Sequence, residues 1–169
     1  MIKILMRTFD RFFPPQSIHA HCDIPCGIYD PHEAQVASHT VLRMTSLINE
    51  LKASSAEPAF DERKRIISQV SRLTRVKEDQ AEIVKHEVRI IWGDYFKAEH
   101  IDKHDELHDL VFEIMKLSSK TKQEVNEEAA KQLLGKVQEF SEIFWETKGV
   151  KTARVKSNYP TEGEIIVPE

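Results

Sequence analysis

Along four stretches of the chain, apolar residues recur at alternating steps of three and four, the spacing that lays them on one side of an α-helix. The first stretch opens at Asp30-Pro31-His32-Glu33. Asp30 can cap, Pro31 suits the first helical position, and Glu33 completes a capping-box-like spacing. Ala34, Ala37, Val41, Met44, Ile48 and Leu51 make its stripe, and a loop around Ser54 to Pro58 ends it. The second stretch runs roughly from Asp61 to Trp92, with Ile66, Val70, Leu73 and Val76, then Val84, Val88 and Ile91, predicted to point inward. Lys77-Glu78-Asp79-Gln80 interrupts that stripe, and Gly93 is its expected terminator. Leu107, Leu110, Ile114 and Leu117 mark the third helix; Ala130, Leu133, Val137, Phe140 and Phe144 mark the fourth, which stops near Gly149. Short connections between four amphipathic helices predict an all-α fold, an antiparallel up-and-down four-helix bundle. Beyond Gly149 the helical period is lost, and the tail is expected to wrap a neighbour or stay mobile.

Composition agrees with this pattern. The 169 residues are 40% hydrophobic and 31% charged with only 5 glycines, a globular and helical balance. A net charge of −4 gives no electrostatic footprint for nucleic acid. No run approaches the roughly eighteen apolar residues of a membrane helix. Residues 1–20 look unlike the rest: Arg7, Asp10 and Arg11 break every apolar run that an export signal would need, and Pro14-Pro15 precedes Ser17-Ile18-His19-Ala20. A pro-segment removed in the cytoplasm fits better, and an uncut N-terminal arm is the alternative. Cleavage would remove Lys3, Arg7, Asp10 and Arg11, leaving a charge more negative than −4.

Cys22 and Cys26 are the only cysteines. Two thiols this close point to metal or redox chemistry, with a local disulfide or idle thiols as the plainer readings. Structural zinc usually shows four side-chain ligands, iron–sulfur clusters generally take four cysteines, and thioredoxin-like pairs are C-x-x-C. This is C-x₃-C beside helices. After cleavage following Ala20, His21 would offer an amine and a ring nitrogen, Cys22 an amide nitrogen and a thiolate, and Cys26 a second thiolate. Pro25 fixes one backbone angle and Gly27 permits an unusual one, so the run can curl around one ion. Two sulfurs with backbone nitrogens favour a planar arrangement over tetrahedral zinc.

The run His21-Cys22-Asp23-Ile24-Pro25-Cys26-Gly27-Ile28-Tyr29-Asp30-Pro31 resembles the nickel hook of the nickel-dependent superoxide dismutases. Trp92-Gly93-Asp94-Tyr95-Phe96-Lys97 and Ile143-Phe144-Trp145-Glu146-Thr147-Lys148 resemble two further segments of that family. The resemblance spans His21 to Lys148, and with the patterns above it divides the chain into a pro-segment at 1–20, a hook and bundle at 21–149, and an extension at 150–169. It implies superoxide as substrate and one nickel ion per chain, held by His21, Cys22 and Cys26. Tyr29 and Tyr95 would stand near the open face of the metal, and Asp23 and Pro25 would hold the hook's shape. A homohexamer and a maturation protease are implied too, and the leader places the protein in the cytoplasm. The family's Glu and Arg that steady the axial imidazole fall at Ala37 and Gln80, so neither role carries over. Lys97 is the candidate for local steering of an anion, although a loop-edge lysine is ordinarily just solvated.

Two other readings compete. His100, His104 and His108 recur every four residues, with Asp105 nearby, as in a di-metal carboxylate bundle. That site would need Glu-x-x-His motifs, and the chain has one Asp-x-x-His instead. The other rival is a non-catalytic interaction bundle with idle cysteines. Trp92 and Trp145 are expected to be buried packing residues.

Overall fold

The computed structural model describes residues 27–169, so the hook from His21 to Cys26 and the preceding leader lie outside the described residues. Four long helices form the body: α1 (His32–Glu50), α2 (Phe60–Ile90), α4 (Leu107–Gln123) and α5 (Glu127–Thr147), with a short α3 (Ala98–Ile101) between α2 and α4. Each long helix packs on two others, α1 on α2 and α5, and α4 on α2 and α5, closing a ring. The ring is antiparallel. The Trp92 indole meets His108 at one end of the α2–α4 pair, and Lys77 meets Thr121 at the other. The four-helix bundle expected from the stripes is what the chain forms.

The fourth stripe is obeyed closely: Ala130, Leu133, Val137, Phe140 and Phe144 are all buried in the common core with Ala34, Ala37, Val41, Val84, Val88, Leu107 and Ile114. The second stripe departs from expectation. No residue from Phe60 to Val76 is buried, and Val76 is 40% exposed. The reason is length. Lys77 already stands level with the end of α4, so the first half of α2 runs past the bundle and rests on Met44, Leu47 and Leu51 of the α1 end and on the loop through Ser54. Lys77 itself, expected to interrupt the stripe, is buried. Its ammonium donates to the carbonyls of Thr121, Lys122 and Glu124, which the end of α4 leaves without helical partners. Burial lowers its pKa.

The tail is also ordered. Strands β1 (Thr152–Lys156) and β2 (Glu164–Pro168) pair antiparallel, Arg154 opposite Ile166. The hairpin docks on its own bundle. The Gln35 amide donates to the Ile166 carbonyl at 3.0 Å and accepts from the Ile166 N–H at 2.7 Å, standing in for a neighbouring strand. His39 and Gln138 both bond the Glu164 carbonyl, at 3.0 and 2.6 Å, and Arg154 forks onto Glu142 of α5 at 2.8 and 2.9 Å. These contacts explain why Gln35, His39 and Gln138 are buried on helices otherwise patterned to face solvent there.

Candidate metal centre

The chain leaves the hook through Gly27, whose φ of +93° lies where only glycine sits without strain. Tyr29 follows, half-buried, and then the turn into α1. An Asp30 carboxylate oxygen accepts from the His32 N–H at 2.8 Å, and Pro31 occupies the N-cap instead of the first helical position. Glu33 makes no capping bond, so the start signal holds with its roles shifted by one place.

Tyr95 arrives by a different device. Past Ile90 the helix widens into a π turn, Ile91–Tyr95, closed by the Phe96 N–H on the Ile91 carbonyl at 3.3 Å. Gly93 lies inside this turn and does not end the helix. The wider turn holds an extra residue, a feature that recurs at functional sites. Trp92 is left 38% exposed, its indole N–H donating to His108 Nδ1 at 3.1 Å, which corrects the expectation that it is buried; Trp145 is half-buried against Phe144. Tyr95 is directed among rings: Phe144 at 4.8 Å, Phe96 at 5.2 Å, His100 stacked at 5.5 Å, and Tyr29 at 5.8 Å between centroids.

A third element completes the cluster. Helix α5 ends in a Schellman turn, with Val150 N–H on the Trp145 carbonyl, Gly149 N–H on the Glu146 carbonyl, and Gly149 at φ +70°. That turn fixes the last two side chains. Thr147 Oγ1 lies 2.9 Å from the Tyr95 hydroxyl. Lys148 Nζ sits over the rings of Phe144, Trp145 and Tyr95, at 4.5, 5.4 and 5.5 Å, and 3.4 Å from the Tyr29 carbonyl oxygen. A cation over aromatic faces is held electrostatically by their quadrupoles. Nearby, burial and the charge of Glu33 raise the pKa of Glu87.

Of the residues expected at the site, Tyr29 and Tyr95 come together, while His21, Cys22, Asp23 and Cys26 lie outside the described residues. The sequence pattern alone assigns no role to Thr147 or Lys148, and none to His100 beside Tyr95. The first two fall in the Ile143–Lys148 motif, so the signal was present; His100 had been placed in the rival histidine array. That array does not exist as a face. His100 belongs to α3, His104 to the following turn and His108 to α4. Among the described residues no three His, Cys, Asp or Glu side chains gather as a metal site. Lys97 is exposed at the start of α3, Ala37 is a core residue, and Gln80 is half-buried on α2.

The family model described as nickel-containing superoxide dismutase matches residues 16–148, a span that includes the hook and all three elements above. The chain belongs to that family. Superoxide dismutase [Ni] of Streptomyces coelicolor is 36% identical over 137 residues, covering 81% of this chain and 95% of the relative. The protein of the same name from Streptomyces seoulensis is 35% identical over an equal span, with the same shares covered. Among solved structures, native nickel superoxide dismutase at 1.30 Å superposes with a TM-score of 0.62 at 34% identity, covering 76% of this chain and 99% of that one. A structure with nickel ligation of the oxidised state gives 0.63 at 32%, with the same coverage. The chain is therefore an oxidoreductase that dismutes superoxide and uses nickel. The two thiols and the imidazole at residues 21–26 are donors chemically suited to that ion.

Proposed function

We propose that the working form of the enzyme begins at His21, after cleavage following Ala20, and that His21, Cys22 and Cys26 hold one nickel ion per chain. The observation that carries this reading is the packing of Tyr29 on Tyr95 at 5.8 Å, three residues beyond Cys26, which ties the exit of the hook to the aromatic end of the bundle. His21 supplies its amine and imidazole, Cys22 its amide nitrogen and thiolate, and Cys26 the second thiolate. Asp23 and Pro25 hold the shape of the run.

Nickel, when bound, supplies one-electron exchange, so that one superoxide leaves as dioxygen and the next, with two protons, as hydrogen peroxide. The side chains do the rest. Tyr29 and Tyr95 screen the open face and order water or peroxide there. Lys148, over the Tyr95 ring, offers positive charge to an anion approaching a processed chain that is more negative than the −4 of the full sequence. It takes over the steering task expected of Lys97. The mature chains assemble as a homohexamer in the cytoplasm after a dedicated protease acts. Among the described residues no helix is long and apolar enough to cross a membrane.

The N-terminal mass and metal content of purified protein test this reading together. A chain starting at His21 with equimolar nickel is expected. Cys22→Ser or Cys26→Ser should lose both nickel and activity, and Ala20→Pro should accumulate an inactive precursor. An active precursor starting at Met1 would overturn the proposal.

A further inference from the structure

The Tyr95 hydroxyl and Thr147 Oγ1 are 2.9 Å apart, and distance alone leaves the direction of that bond open. A second bond settles it. Thr147 Oγ1 also lies 2.7 Å from the Phe144 carbonyl oxygen, which can only accept. A hydroxyl has one proton. Thr147 gives its proton to Phe144, so Thr147 Oγ1 accepts from Tyr95, and the phenol proton is committed to the helix end.

We infer that Thr147 is a positioning residue that makes the Tyr95 phenol an acceptor, not a donor, toward whatever meets its remaining lone pairs. The surroundings keep the ring from turning away: Phe144 at 4.8 Å, Phe96 at 5.2 Å, and His100 stacked at 5.5 Å. His100 is itself held, its Nδ1 accepting from the Lys97 N–H at 3.2 Å. The inference rests on the reading of Tyr95 as a neighbour of the metal. There it has a consequence for selectivity. Water and hydrogen peroxide carry O–H groups and can donate to such an oxygen, whereas superoxide and other small anions can only accept. The phenol therefore orders the protonated product and solvent and offers nothing that would retain an anion.

Two measurements test this. In the metal-free full chain, proton NMR should show a slowly exchanging Tyr95 hydroxyl resonance, assigned by its loss in Tyr95→Phe. The resonance should persist in Thr147→Ser and vanish in Thr147→Val. In processed, nickel-loaded protein, azide serves as a stable monoanion. Freeing the phenol proton in Thr147→Val should tighten azide inhibition about tenfold, the scale of one hydrogen bond to a charged group. Thr147→Ser should stay near wild type. A resonance that survives in Thr147→Val, unchanged azide inhibition there, or equal effects of Ser and Val would each overturn the inference. Protein whose resonance behaves as expected but which binds no nickel would instead sink the metal-centre reading and leave the proton assignment standing.

Discussion

Where α1 begins and α5 ends, Tyr95 touches four rings at 4.8 to 5.8 Å, and Lys148 lies across three aromatic faces. At the opposite end, α2 runs from Phe60 to Val76 without burying a residue, and Phe60 and Ile67 are each 66% exposed. The same helical period serves both, yet the outcomes differ in kind. Interlocking contacts at the first end leave each side chain one position. The second end stays open to solvent, because one neighbouring helix and a loop cannot enclose it. Residues that must present an oxygen or a charge at a fixed point belong where packing has already removed their alternatives.

The contrast can be broken most forcefully from the crowded end. Phe144 is fully buried between Tyr95, Phe96 and Trp145, so Phe144→Ala should destabilise the fold by about 3–5 kcal/mol in urea denaturation. A loss under 1 kcal/mol would show that the cluster collapses to fill the gap. At the border between the two ends, Lys77→Met should cost about 1–3 kcal/mol, because three carbonyls at the end of α4 lose their donor. A neutral result would mean that water replaces the ammonium.

A gentler perturbation is pH. Burial holds the pKa of His39 below its ordinary value near 6.5, an effect only partly offset by the Glu164 carbonyl. Its ring also contacts Thr161 and Tyr159, and Arg43 lines the same groove. The undocked state then binds more protons than the docked one below about pH 6.5. Hairpin docking is fully favoured above that value and weakens as pH falls through it. Amide exchange at Ile166, corrected for its intrinsic rate, should accelerate between pH 7.5 and 5.5, and His39→Gln should remove the dependence. The smallest effect belongs to the overhang: Ile67→Ser should alter stability by no more than about 0.5 kcal/mol. A larger loss would reveal a partner on that face.

Much of this architecture was legible because period reports which side of a helix is apolar. It does not report what covers that side. Ile66, Val70 and Leu73 satisfy the pattern as well as Leu133 and Val137, and only the third dimension separates half-buried from buried. Lys77 looked like an interruption because charge is ordinarily solvated; its carbonyl partners lie more than forty residues away in sequence. The hairpin was missed for a related reason, since Ile165-Ile166-Val167 is too short to fix a strand and its lateral partner is a glutamine on α1. The tyrosine pair came from motif resemblance, and no spacing rule would have joined positions 29 and 95. The π turn that delivers Tyr95 left no mark beyond Gly93.

Gly149 also marks a boundary. The family model's match stops at Lys148, and the next residue takes the left-handed bend that seals α5. Because the seal is made by the backbone N–H groups of Gly149 and Val150 on the carbonyls of Glu146 and Trp145, it needs no side chain from the residues that follow. The segment beyond this joint has its own footing on Gln35 and His39, separate from the contacts that close the end of α5.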